Sequence, residues 1–294
     1  MNQKVPRILI LALLLVVLGA TQRLAQSQAI YNNIPNPLPG NLASVAYEAT
    51  GTSEFGDRVA FAGTERSLTT VVQTMSSWGC QAGHWTSSNC VTAPGATFSH
   101  PITLNIYNVV AGNQVGTKLA TITQTFAIPY RPSADLIHCT GPNAGKWYQA
   151  SSATCFNGKA VKITFDLTSL NVVLPNQVIY GIAYNTSHYG YTPIGQGPAC
   201  YASSAGCGYD SLNVAVADPA TSNSVGSNPA PDDAYQYTIY SSCTYGPIIP
   251  FGLDAGCWTG YKPAVRFNAE EGDGDNNNNQ QGGNNQQGGN KKRN

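Results

Sequence analysis

Aromatic side chains beside paired cysteines are the residues whose type and spacing could recognise a ligand. Trp85 and Trp147 each lie between two cysteines, and Trp258 directly follows one. Tyr189 and Tyr191 stand two positions apart in a separate polar stretch. Exposed aromatic faces can stack on sugar rings, and a rigid loop lowers the entropy cost of binding. These five residues form the candidate glycan-binding set.

The tryptophans also have a structural interpretation. Trp is mostly buried in folded proteins, so each one is expected to fill its own loop as a small core. The sequence favours this interpretation, and Trp85 is the expected exception. The two interpretations make opposite predictions for a change to alanine, which lowers stability if the ring is buried and ligand affinity if it is exposed.

Motifs for catalysis are absent from the sequence. It contains no nucleophile elbow, zinc-protease, P-loop or dinucleotide-binding motif. A polysaccharide hydrolase needs only two carboxylates that face one cleft, and a sequence cannot place such a pair. Asp57 and Glu65, which stand beside arginines, are expected to be surface charges. Asp232 and Asp233, in a Pro-rich turn, are weak calcium candidates, with a plain surface turn as the alternative. No other cofactor is expected.

The eight cysteines fall into four local pairs. Cysteines within a pair are 7 to 16 positions apart, whereas successive pairs are 36 to 49 positions apart. An even count in an exported chain makes disulfides the expected state. The pattern predicts the bridges Cys80–Cys90, Cys139–Cys155, Cys200–Cys207 and Cys243–Cys257. Zinc-finger spacing is absent, so a metal site is the weaker alternative.

Between the cysteine loops, apolar residues recur at every second position. Segments 102–106 and 161–167 alternate in this way, which indicates half-buried strands. Residues 177–184 are apolar on both faces and predict a central strand. About ten short strands, separated by turns rich in Gly, Pro and Asn, predict an all-β fold. The expected architecture is a jelly-roll-like β-sandwich with disulfide-closed loops.

The two ends of the chain differ from this body. Residues 1–29 have a basic start, a short apolar run and small residues before Ala29, which together predict a secretory signal peptide. Residues 30–42 form an extended Pro-rich lead-in, suited either to wrapping its own domain or to reaching a partner. Residues 43–268 are expected to form a single sandwich domain. Residues 269–294, rich in Asn, Gln and Gly, predict a disordered tail.

Five stretches carry a resemblance to a group of uncharacterised secreted bacterial β-sandwich proteins. They are MSSWGC (75–80), PITLNIYN (101–108), IPYRPSAD (128–135), VIYGIAYNTSHYGY (178–191) and GCGYDSLNV (206–214). Members of this group carry a signal peptide, paired Cys loops and a variable C-terminal end. The resemblance covers roughly residues 34–268 and implies an extracellular or surface-associated protein. It assigns no catalytic or ligand-binding residue.

Charge and composition narrow the function further. The chain has 15 basic and 15 acidic residues, so it lacks the positive charge that nucleic-acid binding requires. We therefore expect a secreted, non-enzymatic protein that binds an extracellular glycan or matrix and has no membrane span after signal cleavage. An extracellular polysaccharide hydrolase or lyase is one alternative. A self-assembling structural subunit is another, because a free strand edge permits self-association.

Overall fold

The computed structural model of the protein describes residues 26–184, 211–217 and 223–272. This part of the chain contains one short helix, α1 (Tyr47–Thr50), and four 3-10 helices at Trp85–Ser87, Ala111–Asn113, Gly141–Asn143 and Thr168–Leu170. The strands within it are β1 (Gln28–Asn32), β2 (Ala43–Val45), β3 (Glu54–Ala60), β4 (Ser67–Ser77), β5 (Thr97–Val110), β6 (Gln114–Pro129), β7 (Trp147–Gln149), β8 (Thr154–Phe156), β9 (Lys159–Asp166), β10 (Gln177–Ala183), β11 (Leu212–Ala217), β12 (Asp233–Thr238), β13 (Ile248–Ala255), β14 (Lys262–Pro263) and β15 (Val265–Glu270).

Two antiparallel sheets form a sandwich, which confirms the predicted all-β fold. The first sheet has the order β1-β15-β4-β11-β14, with β2 paired to β11 and β9 paired to β4. The second has the order β13-β12-β3-β10-β5-β6, and β7 and β8 form a separate ribbon. The described residues hold more than the ten or so strands expected, because strands as short as β2 and β14 are too brief to show a two-residue period.

The main core fills the space between the sheets and follows the predicted alternation. Ile102, Leu104 and Ile106 of β5 are fully buried, as are the inward residues Ile163 and Phe165 of β9, whose neighbours are exposed. β10 pairs with β3 on one side and β5 on the other. Its position confirms the prediction of a central strand from its apolar sequence.

A second apolar cluster covers the outer face of the six-stranded sheet. It consists of Tyr107, Ile179, Tyr235 and Phe251. The two edge strands of this sheet, β13 and β6, approach each other. The sheet therefore curls over its outer face, and side chains that would otherwise meet solvent are buried there.

The lead-in makes contacts with its own domain. β1 pairs with β15. Beyond β1, the Asn33 side chain donates to the Pro263 carbonyl at 2.9 Å and accepts the Val265 N–H at 2.7 Å. Further along, the Gly40 carbonyl accepts the backbone N–H of Ala160.

The predicted end of the signal peptide and the predicted end of the sandwich domain both fall inside strands. β1 begins at Gln28, before the cleavage position predicted after Ala29, and β15 continues to Glu270, beyond residue 268. Because Ala269 is fully buried, the sandwich extends at least to the end of β15. The signal peptide stays a prediction, and the tail from residue 273 onward lies outside the described residues. The described helices are short, and none has the length and apolar character of a membrane span.

Candidate functional site

Three of the four predicted disulfides are formed. Cys80–Cys90, Cys139–Cys155 and Cys243–Cys257 have Cα–Cα distances of 5.4, 5.9 and 5.4 Å. Cys200–Cys207, the remaining predicted pair, lies outside the described residues. Among the described residues, the one cluster of potential metal ligands adds Asp254 to the third bridge. Because both sulfurs of that bridge are oxidised, they are not thiolate ligands.

The first two disulfide loops lie side by side at one end of the sandwich. The backbone N–H of Ala134 donates to the Cys90 carbonyl at 3.0 Å. The fully buried Arg131 links both loops, since its backbone N–H donates to the Gly79 carbonyl at 2.9 Å and its Nη2 donates to the Gly145 carbonyl at 2.6 Å. These bonds hold the two loops in a fixed relative position.

A cleft of about 500 Å³ lies beside these loops. Its walls are residues 92–96 after the first loop, residues 129, 130 and 132–135 at the end of β6 and beyond it, and Trp147, Tyr148 and Lys159. The volume lies in the range of small-molecule binding sites. The walls combine apolar surface from prolines and aromatic rings with the charges of Asp135 and Lys159.

Tyr148 is the most exposed aromatic side chain among the described residues of the cleft. Its ring stacks on His138, with centroids 4.3 Å apart and an interplanar angle of 9°. His138 Nδ1 lies 3.0 Å from Asp135 Oδ2. The backbone N–H and then the ring of His138 lower the pKa of Asp135, so this carboxyl group is ionised at neutral pH. The stack and the hydrogen bonds fix the Tyr148 ring at the cleft.

Trp147 and Trp258 are buried, as the favoured structural interpretation of the tryptophans expects. Trp147 is 8% exposed, and its Nε1–H donates to the Gly158 carbonyl at 2.7 Å. Trp258 is 5% exposed, donates to Asp254 Oδ2 at 3.0 Å and packs against Phe55. Burial is favourable here because each indole finds apolar neighbours and an acceptor for its N–H.

The remaining predicted aromatic residues do not form one binding surface with Trp147 and Trp258 in the described structure. Trp85 is half-buried, and its ring lies edge-on to Trp78 with centroids 4.7 Å apart. It is not among the residues that line the cleft. Tyr189 and Tyr191 lie outside the described residues. Among the described members of the predicted set, Trp147 alone reaches the cleft, together with its neighbour Tyr148.

The calcium candidates Asp232 and Asp233 lie in a turn that other groups already hold. The Thr259 hydroxyl donates to Asp232 Oδ1. The main-chain oxygen of Asp233 accepts a hydrogen bond from Lys262 Nζ. These oxygens already accept hydrogen bonds, and the two aspartates are not part of a cluster of potential metal ligands among the described residues, so the structure gives no support to a calcium site there.

Two carboxylates of β3 are buried, which corrects the expectation of a surface charge at Asp57. Asp57 is 1% exposed and shares the inward face of β3 with Phe55 and Val59. The two-residue period of this strand was the pattern that could have revealed it. Glu54, 7% exposed, lies on the opposite face under the second apolar cluster. Glu54 is buried because the sheet curls over its outer face. No local sequence pattern indicates this curling.

Glu54 is held by neutral donors. Asn105 Nδ2 and the Tyr107 hydroxyl donate to its Oε1 at 2.9 and 3.0 Å, and Thr121 in turn donates to Asn105 Oδ1 at 2.7 Å. Burial raises the pKa of Glu54. A Cβ atom at Gly181 would lie 2.2 Å from Glu54 Oε1, so glycine at this position leaves room for the carboxyl group.

Comparisons with protein-family models, curated proteins and solved structures find no match for this chain. Its function must therefore be argued from its own geometry. Asp135 is the one carboxylate among the described residues that line the cleft, so the carboxylate pair of a glycosidase is not assembled there. A second cleft of similar volume lies at the β5–β6 turn, and its described lining includes no aromatic side chain.

Proposed function

We propose that the protein is an extracellular, non-enzymatic glycan-binding protein and that the cleft beside its first two disulfide loops is the binding site. One observation carries this proposal: a cleft beside two covalently closed loops contains a fixed, partly exposed tyrosine ring together with two charged side chains. The disulfides are compatible with an extracellular location, because such bonds persist in oxidising compartments.

The chemistry of the cleft fits a carbohydrate. The Tyr148 ring offers a flat apolar surface for the face of a pyranose ring. Asp135 can accept hydrogen bonds from sugar hydroxyls and Lys159 can donate to them in the same cleft. Because the disulfides and Arg131 already order the loops, little conformational entropy is lost when a ligand binds.

The test is a glycan-binding screen followed by titration calorimetry of the Tyr148→Ala variant. We expect the loss of the ring to weaken binding of a glycan found in the screen by about 1–3 kcal/mol, with little change in melting temperature. Tyr245→Ala is the matched control, because this tyrosine is 70% exposed in the third disulfide loop, outside the cleft. Absence of glycan binding by the wild type, or equal affinity of both variants, would overturn the proposal.

A further inference from the structure

A lysine, an aspartate and an asparagine from three segments meet inside the sandwich. Asp57 lies on β3, Lys262 on β14 and Asn228 on the segment before β12. Lys262 Nζ lies 3.8 Å from Asp57 Oδ1, and Asn228 Nδ2 donates to Asp57 Oδ2 at 2.6 Å. One oxygen of the carboxyl group therefore faces the amine and the other faces the amide.

A second residue, Ala230, also holds both the amine and the amide. Lys262 Nζ donates to the Ala230 carbonyl at 3.3 Å, and the Ala230 N–H donates to Asn228 Oδ1 at 2.9 Å. Backbone hydrogen bonds of Ser227 fix this segment against the end of β3. The amine and the amide are thus bound to the same two residues, Asp57 and Ala230.

The surroundings of this triad disfavour charge. Lys262 is 7% exposed, and the fully buried Tyr180 lies directly opposite Asp57 on β10. The Tyr180 hydroxyl has no hydrogen-bond partner among the described residues. Burial lowers the pKa of Lys262 and raises the pKa of Asp57 to about 7. Both shifts favour the uncharged forms of the amine and the carboxyl group.

We propose that Lys262 and Asn228 become joined by an intramolecular amide bond and that Asp57 transfers the protons of this reaction. A desolvated lysine is an effective nucleophile, and a carboxyl group with a pKa near the working pH is an effective acid and base. Because Lys262 and Asn228 are both held by Asp57 and Ala230, the reaction is intramolecular and avoids the entropy cost of an encounter.

The bond changes balance without a further reactant. Lys262 Nζ forms a bond to Asn228 Cγ, and the carbonyl π electrons move to Oδ1, where the Ala230 N–H stabilises the negative charge. Asp57 donates its proton to Asn228 Nδ2. The Cγ–Nδ2 bond then breaks as the carbonyl re-forms, and ammonia leaves. Asp57 takes up a proton lost by Nζ, which restores the carboxyl group.

The test is a chymotryptic peptide map of the full-length protein after reduction and alkylation. Chymotrypsin cleaves after Tyr235 and Tyr261, so Asn228 and Lys262 fall on different peptides unless they are bonded. We expect one branched peptide whose mass is lower than the sum of the two by one ammonia molecule. Two separate unmodified peptides would overturn the proposal. A Lys262–Asp57 link with loss of water would also overturn it.

Two variants test the role of Asp57. We expect Asp57→Asn to give separate peptides, with folding checked by circular dichroism. Asp233→Asn is the matched control, because Lys262 contacts only the main-chain oxygen of Asp233, and it should retain the branched peptide. A full yield of the link in folded Asp57→Asn would contradict proton transfer by Asp57. If that variant does not fold, the wild-type map still decides whether the bond exists.

Discussion

Glu54 and Asp57 lie three residues apart on one strand, yet their surroundings differ completely. The odd spacing sends them to opposite faces of β3, and both are almost fully buried. Glu54 meets two neutral donors, Asn105 and Tyr107. Asp57 meets an amide and the amine of Lys262. Burial alone therefore does not define the chemistry of a carboxyl group, because its partners decide whether it is a structural acceptor or part of a charged, reactive set.

The largest expected effect comes from removing the amine that faces Asp57. Lys262→Met removes both the partner of the buried Asp57 carboxyl group and the amide bond proposed above, and it should lower the unfolding free energy by about 3–5 kcal/mol. Denaturant titration measures this loss. The double variant Asp57→Leu, Lys262→Met also removes the unpaired carboxyl group and should recover the part of the loss that this group causes. If the double variant is as unstable as the single one, the pairing of the two residues is not the cause.

A smaller effect should appear in the pH dependence of stability. Burial raises the pKa of Asp57 from 3.8 to about 7, so the folded protein holds this proton more tightly than the unfolded chain does. The unfolding free energy should therefore fall as pH rises from about 4 to about 7. Asp57→Asn should flatten the slope in the acidic to neutral interval, and an unchanged slope would assign it to other groups.

The smallest effect is expected at Glu54. Glu54→Gln keeps an oxygen that can accept hydrogen bonds from Asn105 and Tyr107, so the unfolding free energy should change by less than about 1 kcal/mol. Thermal melting of this variant beside Asp57→Asn compares the two carboxyl groups directly. If Glu54→Gln loses as much stability as Asp57→Asn, the different partners of the two carboxyl groups do not determine their contributions to stability.

The sequence predicts the parts of this molecule that depend on local pattern. Alternation in β5 and β9 locates strands and inward faces, and cysteine spacing predicts three bridges that the structure contains. The exposure of an aromatic ring depends on distant segments. Trp258 is buried because Phe55 and Asp254 reach it, and neither contact has a sequence pattern. The surroundings of Asp57 are predictable only in part. Its inward position follows from the two-residue period of β3, but its hydrogen-bond and charge partners do not.

The pairing of β1 with β15 has a mechanical consequence. Gln28 stands opposite Ala269, so the chain enters and leaves the sandwich at the same corner. A force that pulls on both flanking segments would open the hydrogen bonds of this pair one after another, as in a zipper, instead of loading them together in shear. A sandwich pulled at both ends would therefore begin to unfold by separation of β1 from β15.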